Sequence, residues 1–489
     1  MSHFFSILAC GLLAGVPLVL ADETTTITPG TTWGTWEGWG TSLAWWAKAF
    51  GDQTEFADIF FTLDNVTYST TGVTLPGLGL NIVRYNAGAC SSNADADGDY
   101  MVESPDIEAS RQMDAFWTDW QSTDPSSEYW SWSVDANQRN MLKLALQNAG
   151  SDGIAELFSN SPVWWMLYNL NPSGSNDGSS DNLESWNWDY HAIYLANVAQ
   201  YAKENWGVTF ASVDAFNEPS ASYWVGTSGT QEGCHFNVST MQSVIIYLRT
   251  ELNSRGLTST IVSASDEEEV DIAITTFNGL NSTALGDVGR INVHGYEGTS
   301  GNRAELYSLV SSAKKKLWTS EYGDSDATGE SMVECLFLDL TTLHPTAWVY
   351  WQVLDVSGWG MIIADNDAVT TGAVEQKYYV LAQFTRHIRP GMVIMDAGSD
   401  YAIAAYDSST KTLTIVAVNW GDAQYINFDL SKFTTPGTNG ALVQRWETTI
   451  GSSGSKYQAY DDTYISGTKF WSYFDTDTIM SFTVEDVVI

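Results

Sequence analysis

The chain has 489 residues, of which 44% are hydrophobic, so it can bury a core large enough for a barrel domain and a second domain. Its formal net charge of −38 arises from 59 Asp and Glu against 21 Lys and Arg, which argues against nucleic acid or an anionic membrane as a partner. The aromatic share of 13% exceeds what a core requires and suits surfaces that bind the flat faces of sugar rings.

The first 21 residues form a predicted signal peptide. Residues 4–20 are an uncharged apolar run, and Ala21 ends it with the small side chain that a signal peptidase reads. The run of about 17 residues is too short for a membrane anchor, although the usual basic residues before it are missing. We therefore expect a secreted, extracellular protein. The predicted N-glycosylation sites are the sequon residues Asn65, Asn237 and Asn281.

Cysteine contributes little to this fold. Removal of Cys10 with the signal peptide leaves Cys90, Cys234 and Cys335, so at most one disulfide can form. Cys335 lies in an amphipathic helical pattern and is interpreted as a core residue. The sequence leaves a link between Cys90 and Cys234 open.

The mature chain begins with a threonine-rich extended segment, residues 24–32, that has no neighbouring strand to pair with. A glycine-rich strand with an aromatic corner follows at residues 34–46, and a second strand covers residues 80–86. A long polar loop, residues 88–130, then leads to a helix at Ala136–Ala149, which Gly150 ends.

From residue 154 onward, apolar strands and amphipathic helices alternate. With the two earlier strands, eight strands are counted, which predicts an α/β fold, a (β/α)8 TIM barrel. The predicted strands are 154–158, 208–216, 260–264, 290–293, 317–321 and 347–351, and the predicted helices are 190–204, 241–254, 270–277, 304–316, 332–343 and 376–388.

After residue 390 the period changes to that of β-strands. Residues 401–406 and 412–419 read as a hairpin, and residues 478–484 as a further strand. We predict a β-sandwich at 391–489, a catalytic barrel at 36–390, and an N-terminal strand at 22–35 that joins the sandwich.

Two glutamates follow apolar strands at matching places in the predicted barrel. Glu218 comes after the fourth strand and Glu321 after the seventh, and both strands end at the barrel face where active sites are built. A retaining glycosidase needs two such carboxyls about 5 to 5.5 Å apart, one protonated and one ionised, which predicts a bell-shaped pH profile on the acidic side of neutrality. A surface position for each acid is the alternative.

Other polar and aromatic residues complete the predicted site. Asn217 can hydrogen-bond a sugar 2-hydroxyl, and Arg84 and Tyr296 can donate hydrogen bonds that keep Glu321 ionised. Tryptophans after the first, third and eighth strands are expected at the rim, about half of them in contact with sugar, which favours a polymeric substrate. The full predicted substrate-binding set is Trp45, Trp46, Arg84, Asn86, Trp165, Asn217, His294, Tyr296 and Trp351.

The acidic run Asp266 to Glu269 is interpreted as the first turn of a helix, and no metal site is predicted. A serine hydrolase would need Gly-x-Ser-x-Gly, which is absent, and the 6 His are too scattered for a zinc site. A non-catalytic sugar-binding protein remains the rival class, because it explains the aromatic residues and secretion but not the paired glutamates. No cofactor is expected, and we expect a monomer.

Several motifs resemble glycoside hydrolase family 30 over nearly the whole mature chain. They are Gly38 to Ala47, Arg84-Tyr85-Asn86, Ser161 to Met166, Phe216-Asn217-Glu218-Pro219, His294-Gly295-Tyr296, Trp318 to Glu321 and Phe384 to Gly391. The resemblance implies a barrel fused to a side β-sandwich, retaining chemistry, an acid/base at Glu218 and a nucleophile at Glu321. The opening Trp36 to Ala47 most resembles the branch that cleaves β-1,6-galactan side chains of arabinogalactan internally, whereas other branches cleave β-1,6-glucan or xylan.

Overall fold

The computed structural model describes residues 23–489, so the predicted signal peptide lies outside the described residues. Eight parallel strands close into a barrel in which the eighth strand pairs with the first, so the predicted (β/α)8 fold is confirmed. We number the barrel strands 1 to 8 in chain order. They are Gly38–Ser42, Ile82–Asn86, Ile154–Phe158, Ser212–Asp214, Ile261–Glu267, Val288–His294, Lys316–Tyr322 and Ala347–Tyr350.

Barrel strand 1 is rich in glycine because its neighbour approaches closely. A Cβ atom on Gly40 would lie 2.6 Å from the carbonyl oxygen of Ile82, the residue with which Gly40 pairs on strand 2. Any side chain at position 40 would therefore push these two strands apart.

Helices cover the outside of the barrel. The α-helices are Trp46–Phe50, Thr54–Phe61, Ala136–Ala149, Trp188–Tyr201, Val238–Ser254, Val270–Gly279, Ser282–Asp287, Arg303–Ser312, Glu330–Leu338 and Gln376–Thr385. Short 3-10 turns lie at Ala109–Arg111, Gly150–Asp152, Trp164–Met166 and Ser185–Asn187, and π-helical turns at Ala202–Trp206 and Asp339–Leu343. None of the helices between residues 23 and 489 is long and apolar enough to cross a membrane.

The helix predicted at residues 304–316 was too long. It ends at Ser312, and Lys314 adopts a left-handed conformation with φ of 57° that breaks the helical path. Lys316 then begins strand 7, where it pairs with Arg290. The basic cluster that suggested a helix end is therefore the turn between a helix and the next strand.

The C-terminal segment forms two packed sheets. Buried residues from both sheets, including Phe428, Phe470 and Phe482, share one apolar core. The seven-stranded sheet contains Thr28–Thr35, Val393–Asp396, Ala402–Asp407, Thr412–Asn419, Thr478–Val484, Leu442–Thr449 and Gln458–Tyr464 in spatial order. The three-stranded sheet contains Glu23–Thr26, Gln424–Asp429 and Lys469–Phe474.

Smaller strand pairs complete the fold. Both N-terminal strands already belong to sheets of the C-terminal segment, and Glu23–Thr26 runs parallel to its partner Gln424–Asp429. The remaining strands are Asn65–Thr67 with Thr74–Pro76, Thr435–Pro436 with Val487–Val488, and the trio Leu354–Asp355, Ile362–Asp365 and Thr370–Val374 that follows barrel strand 8.

The last barrel helix, Gln376–Thr385, is buried along its whole length between the barrel and the sandwich. Its Gln383 donates to the Thr448 hydroxyl at 2.8 Å and accepts a hydrogen bond from Ser481. Polar groups on a helix that is covered on all sides need such partners. The β-sandwich therefore packs against the barrel through this helix and its hydrogen-bonded side chains.

A buried carboxyl joins two loops above the barrel. Glu232 accepts hydrogen bonds from Asn86 at 2.9 Å, from the backbone N–H of Ala89 at 3.0 Å and from that of Met113 at 3.1 Å. The thiol of Cys90 donates to the same carboxyl at 3.3 Å. Cys90, Cys234 and Cys335 are all buried and free, so Cys335 lies in the core as predicted and the open question of a Cys90–Cys234 disulfide is answered in the negative.

The raised pKa of Glu232 predicts how folding stability depends on pH. Burial raises the pKa of Glu232 to about 7, against an ordinary value of 4.5 in the unfolded chain. Between these two pH values the folded state holds a proton that the unfolded state has lost, so this group's contribution to stability falls as pH rises. Between pH 4.5 and 7, the free energy of unfolding of the parent should fall by up to about 3 kcal/mol more than that of the Glu232→Gln variant. Urea unfolding at several pH values measures the difference, and equal slopes would contradict it.

Candidate active site

The two glutamates predicted from the sequence meet at the carboxyl-terminal end of the barrel. Glu321 lies within strand 7, and Glu218 follows strand 4, which ends at Asp214 and is shorter than predicted. An oxygen of Glu218 and an oxygen of Glu321 lie within 4.8 Å of each other. Both carboxyls line a cavity of about 460 Å³. This separation matches the short spacing of retaining glycosidases and is too small for the water of an inverting mechanism.

The backbone at Glu218 is held in an unusual conformation. Its φ of 49° lies in the left-handed region, which a residue with a Cβ rarely adopts. The N–H of Glu218 donates to the carbonyl of Asp266 at 2.7 Å, and Trp224 Nε1 donates to the carbonyl of Glu218 at 2.9 Å. These two hydrogen bonds hold the strained turn, so the carboxyl is fixed before any ligand binds.

Glu321 is surrounded by donors. Arg84 Nη1 donates to Glu321 Oε2 at 2.6 Å, and the hydroxyl of Tyr296 donates to Oε1 at 2.7 Å. Burial raises the pKa of Glu321, and the nearby carboxylate of Glu218 adds to that rise, while His294 and Arg84 oppose it. The two carboxyls are therefore coupled, and a proton on one favours the ionised form of the other.

Arg84 is the cation of this site and is fully buried. Besides Glu321 it contacts Glu156 at 3.2 Å and Asp266 through its other nitrogens. Burial opposes its charge, but the carboxylates of Asp266, Glu321 and Glu156 outweigh burial and raise the pKa of Arg84. The guanidinium is therefore charged at every relevant pH.

His294 bridges the two sides of the site. Its Nδ1 lies 3.2 Å from Glu218 Oε1, and its Nε2 lies 3.1 Å from Asp266 Oδ1. Burial disfavours the imidazolium, yet the carboxylates of Glu321 and Asp266 raise the pKa of His294 well above its ordinary value. Both ring nitrogens lie within ion-pair distance of carboxylate oxygens, which favours the doubly protonated, charged ring.

The interpretation of Asp266 as part of a helix start was wrong. Strand 5 continues through Glu267, and the helix begins only at Val270. Burial favours the neutral form of Asp266, but Arg84 and His294 outweigh it and lower the pKa of Asp266 to about 2. Asp266 is thus a buried anion beneath the site, which the acidic run did not reveal because no local pattern shows that strand 5 continues through Asp266 and Glu267.

Two of the predicted tryptophans line the cavity. Trp45 and Trp351 meet edge to face with ring centroids 5.1 Å apart, and Tyr296 lies on the same wall. Each indole is almost wholly buried, with 3% and 6% of its surface exposed. The small exposed part of each ring faces the cavity that holds the two glutamates.

Other predicted substrate-binding residues do not reach the cavity wall. Trp46 packs in the core against Phe60, and Trp165 packs against Trp117. Asn86 is occupied by Glu232, so these three predicted rim positions lie beneath the loops instead. Residue spacing placed them after the right strands but did not define which way each side chain points.

The remaining predicted residues lie below the cavity. Arg84, His294 and Asn217 are buried, and none of them forms part of the cavity wall. Within residues 23–489, the buried Oδ1 of Asn217 accepts no hydrogen bond. An amide oxygen left without a donor beside Glu218 is suited to a ligand hydroxyl.

Six aromatic or charged residues of the cavity wall were missed by the sequence reasoning. Trp359 lies in the turn between Leu354–Asp355 and Ile362–Asp365, and Arg111 lies in the long polar loop after strand 2. Their loops carry no apolar period that would mark a site. The missed residues are Arg111, Tyr223, Trp224, Glu268, Asp355 and Trp359.

The three sequons are at exposed positions. Asn65 lies on a short strand, and Asn237 and Asn281 precede the helices Val238–Ser254 and Ser282–Asp287. The Asn281 side chain accepts hydrogen bonds from the backbone N–H groups of Thr283 and Ala284 and so caps its helix.

Comparisons with known proteins agree with this geometry. The sequence model of O-Glycosyl hydrolase family 30 matches residues 21–283. The endo-beta-1,6-galactanase of Hypocrea rufa is 57% identical over 469 residues, which are 96% of this chain and 96% of that one.

Solved structures share the fold. A conserved exported protein from Bacteroides fragilis superposes with a TM-score of 0.77 at 16% identity, covering 94% of this chain and 100% of that one. The catalytic domain of the GH30 xylanase C from Talaromyces cellulolyticus gives a TM-score of 0.67 at 19% identity, with 94% and 100% covered.

The cavity wall predicts the effect of removing an aromatic ring. Trp351→Ala should weaken the binding of β-1,6-linked galactotetraose by up to about tenfold, because it removes one face of the cavity. Trp186→Ala is the matched control, since Trp186 is 64% exposed and is not part of the cavity wall. Titration calorimetry gives both dissociation constants, and an equal loss in the two variants would argue against the cavity as the sugar site.

Proposed function

Because the chain belongs to glycoside hydrolase family 30, we propose that it is a secreted endo-β-1,6-galactanase that cleaves galactan side chains of arabinogalactan with retention of configuration. The observation that carries the mechanism is the pair of carboxyls whose oxygens lie within 4.8 Å at the end of the barrel. The observation that supports the substrate is the 57% identity to a galactanase over nearly the whole chain.

In the first step Glu218 acts as the general acid and Glu321 as the nucleophile. Glu218 donates its proton to the glycosidic oxygen, the bond to the anomeric carbon breaks, and Glu321 forms a covalent ester with that carbon. Arg84 and Tyr296 hold both oxygens of Glu321 before the attack, which orients the carboxylate toward the sugar.

In the second step Glu218 acts as the general base. Its carboxylate takes a proton from water, the hydroxide attacks the anomeric carbon, and the ester to Glu321 breaks. The imidazolium of His294, 3.2 Å from Glu218, stabilises the carboxylate form that this step requires. Asn217, which directly precedes Glu218 in the chain, is proposed to contact the sugar 2-hydroxyl once the substrate is bound.

Several features favour a neutral polymer as the substrate. The cavity is open enough to hold more than one sugar ring, and Trp45, Trp351 and Trp359 offer rings on one wall. Acidic residues dominate its ionisable lining, with Glu268 and Asp355 in addition to the catalytic pair and one cation, Arg111. A neutral galactan avoids repulsion from these acids. Xylan is an alternative substrate to test, because a GH30 xylanase shares this fold. β-1,6-Glucan is the second alternative, because the family also includes enzymes that cleave it.

Secretion and N-glycosylation form part of the proposal. The apolar run at residues 4–20 and the exposed positions of Asn65, Asn237 and Asn281 support both. An extracellular location agrees with a polysaccharide substrate that is too large to enter a cell. We also propose that the protein acts as a monomer.

Variants of the two glutamates should behave differently on substrates with different leaving groups. Glu321→Gln should lose turnover on every substrate, because no nucleophile remains. Glu218→Ala should retain activity on an aryl β-galactoside with a good leaving group, and azide should restore rate by forming the β-galactosyl azide. Steady-state assays and product analysis by NMR measure both effects, and equal residual activity in the two variants would contradict the assigned roles.

The substrate is tested by the products. De-arabinosylated arabinogalactan should give a ladder of short β-1,6-galacto-oligosaccharides, because internal cleavage releases several lengths at once. Chromatography of early time points separates this pattern from the single product of an exo-enzyme. Faster hydrolysis of β-1,6-glucan or glucuronoxylan under the same conditions would leave the mechanism intact and overturn the choice of sugar, and no hydrolysis of any β-glycan would favour a binding protein.

A further inference from the structure

The cavity contains a third carboxyl that the mechanism above does not use. Glu268 follows strand 5, lines the cavity together with Glu218 and Glu321, and is half-buried. Its carboxyl lies beside the hydroxyl of Tyr223, which lines the same cavity. The same hydroxyl donates to Glu218 Oε2 at 2.6 Å. A single tyrosine therefore links Glu268 to the proposed acid/base.

Tyr223 has only one proton to give to its two carboxyl neighbours. Burial and the adjacent carboxylates of Glu218 and Glu268 raise the pKa of Tyr223, so the group stays a neutral hydroxyl. When Glu268 carries a proton, it donates to the tyrosine oxygen and Tyr223 donates to Glu218. When Glu268 is ionised, it accepts the hydrogen bond of the Tyr223 hydroxyl, and the oxygen of Tyr223 is left to accept a hydrogen bond from protonated Glu218.

We propose that Glu268 is a positioning residue that acts through Tyr223 to decide whether Glu218 is stabilised as an acid or as a carboxylate. This inference rests on the proposed roles of Glu218 and Glu321 and deepens them. An ionised Glu268 favours the protonated Glu218 that the first step needs, both through the direction of the Tyr223 hydrogen bond and through its own charge. A protonated Glu268 favours the carboxylate that the second step needs.

The surroundings of Glu268 place its proton exchange in a useful pH range. Burial raises the pKa of Glu268 to about 7, the carboxylates of Glu218 and Glu269 add to the rise, and Tyr223 and His294 oppose it. On its own strand, Glu267 is occupied by Ser220 and Thr276 and does not compete for Tyr223. Glu268 is therefore largely neutral in acid and becomes charged as the pH passes neutrality.

The consequence is an asymmetric effect on the pH profile. Glu268→Gln imitates the protonated form at every pH, because its amide N–H can donate to Tyr223 as the carboxylic acid does. At pH 5 the variant should lose least kcat/KM, because Glu268 of the parent is protonated there as well. At pH 8 its kcat/KM should fall by about threefold or more, because the alkaline limb moves to lower pH by roughly half a unit when the negative charge is missing.

Two further variants separate this role from others. Glu269→Gln removes a neighbouring charge that does not line the cavity, so its alkaline limb should shift less. In a Tyr223→Phe background, Glu268→Gln should add only a small shift, because the link is already broken. Hydrolysis of a β-1,6-linked galacto-oligosaccharide, whose leaving group needs the general acid, reads all of these profiles across pH 4 to 9.

Two kinds of result would overturn the inference about Glu268. If Glu268→Gln and Glu269→Gln shift the alkaline limb equally, Glu268 acts only as a background charge. The same holds if Tyr223→Phe leaves the shift caused by Glu268→Gln unchanged. A rise in KM at every pH without a limb shift would make it a sugar-binding residue instead. Either result overturns the inference but leaves the proposed function standing.

A second measurement does not depend on activity. Infrared difference spectra of the parent minus Glu268→Gln should show a protonated carboxyl band that disappears near pH 7, and Tyr223→Phe should move that midpoint. Loss of the band at the pH of an ordinary glutamate would refute the link. If the enzyme hydrolysed no β-glycan, the proposed function would fail, while these spectra would still decide whether Glu268 and Tyr223 are coupled.

Discussion

The guanidinium of Arg84 is the group on which the site depends. It lies inside the barrel with no exposed surface and contacts carboxylates from three different strands, Glu156, Asp266 and Glu321. A buried cation is tolerated only when such partners offset its lost hydration. The buried carboxylates need the cation for the same reason. Removing one partner from a buried set of this kind typically costs about 3 to 5 kcal/mol. The barrel interior is thus held in register by charge as well as by apolar packing.

The same network extends away from the cavity. Glu156 also accepts from Ser212, Ser263 and Asn292 and pairs with Arg290, so each neighbouring strand contributes a polar side chain to the barrel axis. Such a polar interior is the opposite of a barrel filled with aliphatic layers. It fixes the rotamers of the residues under Glu218 and Glu321, which is the preorganisation that electrostatic catalysis requires.

The upper half of the site is built differently, from loops that belong to separate strands. Glu232 ties the loop after strand 2 to the loop after strand 4, and Trp224 supports the strained turn at Glu218. Gly233 makes this possible, because a Cβ atom there would lie 2.1 Å from the Trp224 ring. The rigid lower network and the pinned loops together keep the two glutamates at one short separation.

The sequence by itself determined the barrel, the count of its strands and the two glutamates, because strand periodicity and the end of each apolar run are local properties of the chain. It also identified Arg84, Tyr296 and His294, which lie at the ends of strands whose direction is fixed by the parallel sheet. Only the tertiary structure decided that Trp45 and Trp351 face the cavity while Trp46 and Trp165 pack in the core. It alone brought Tyr223, Glu268 and Trp359 to the wall and Asp266 beneath it, because loops from different strands converge in space and no local pattern records which way their side chains turn.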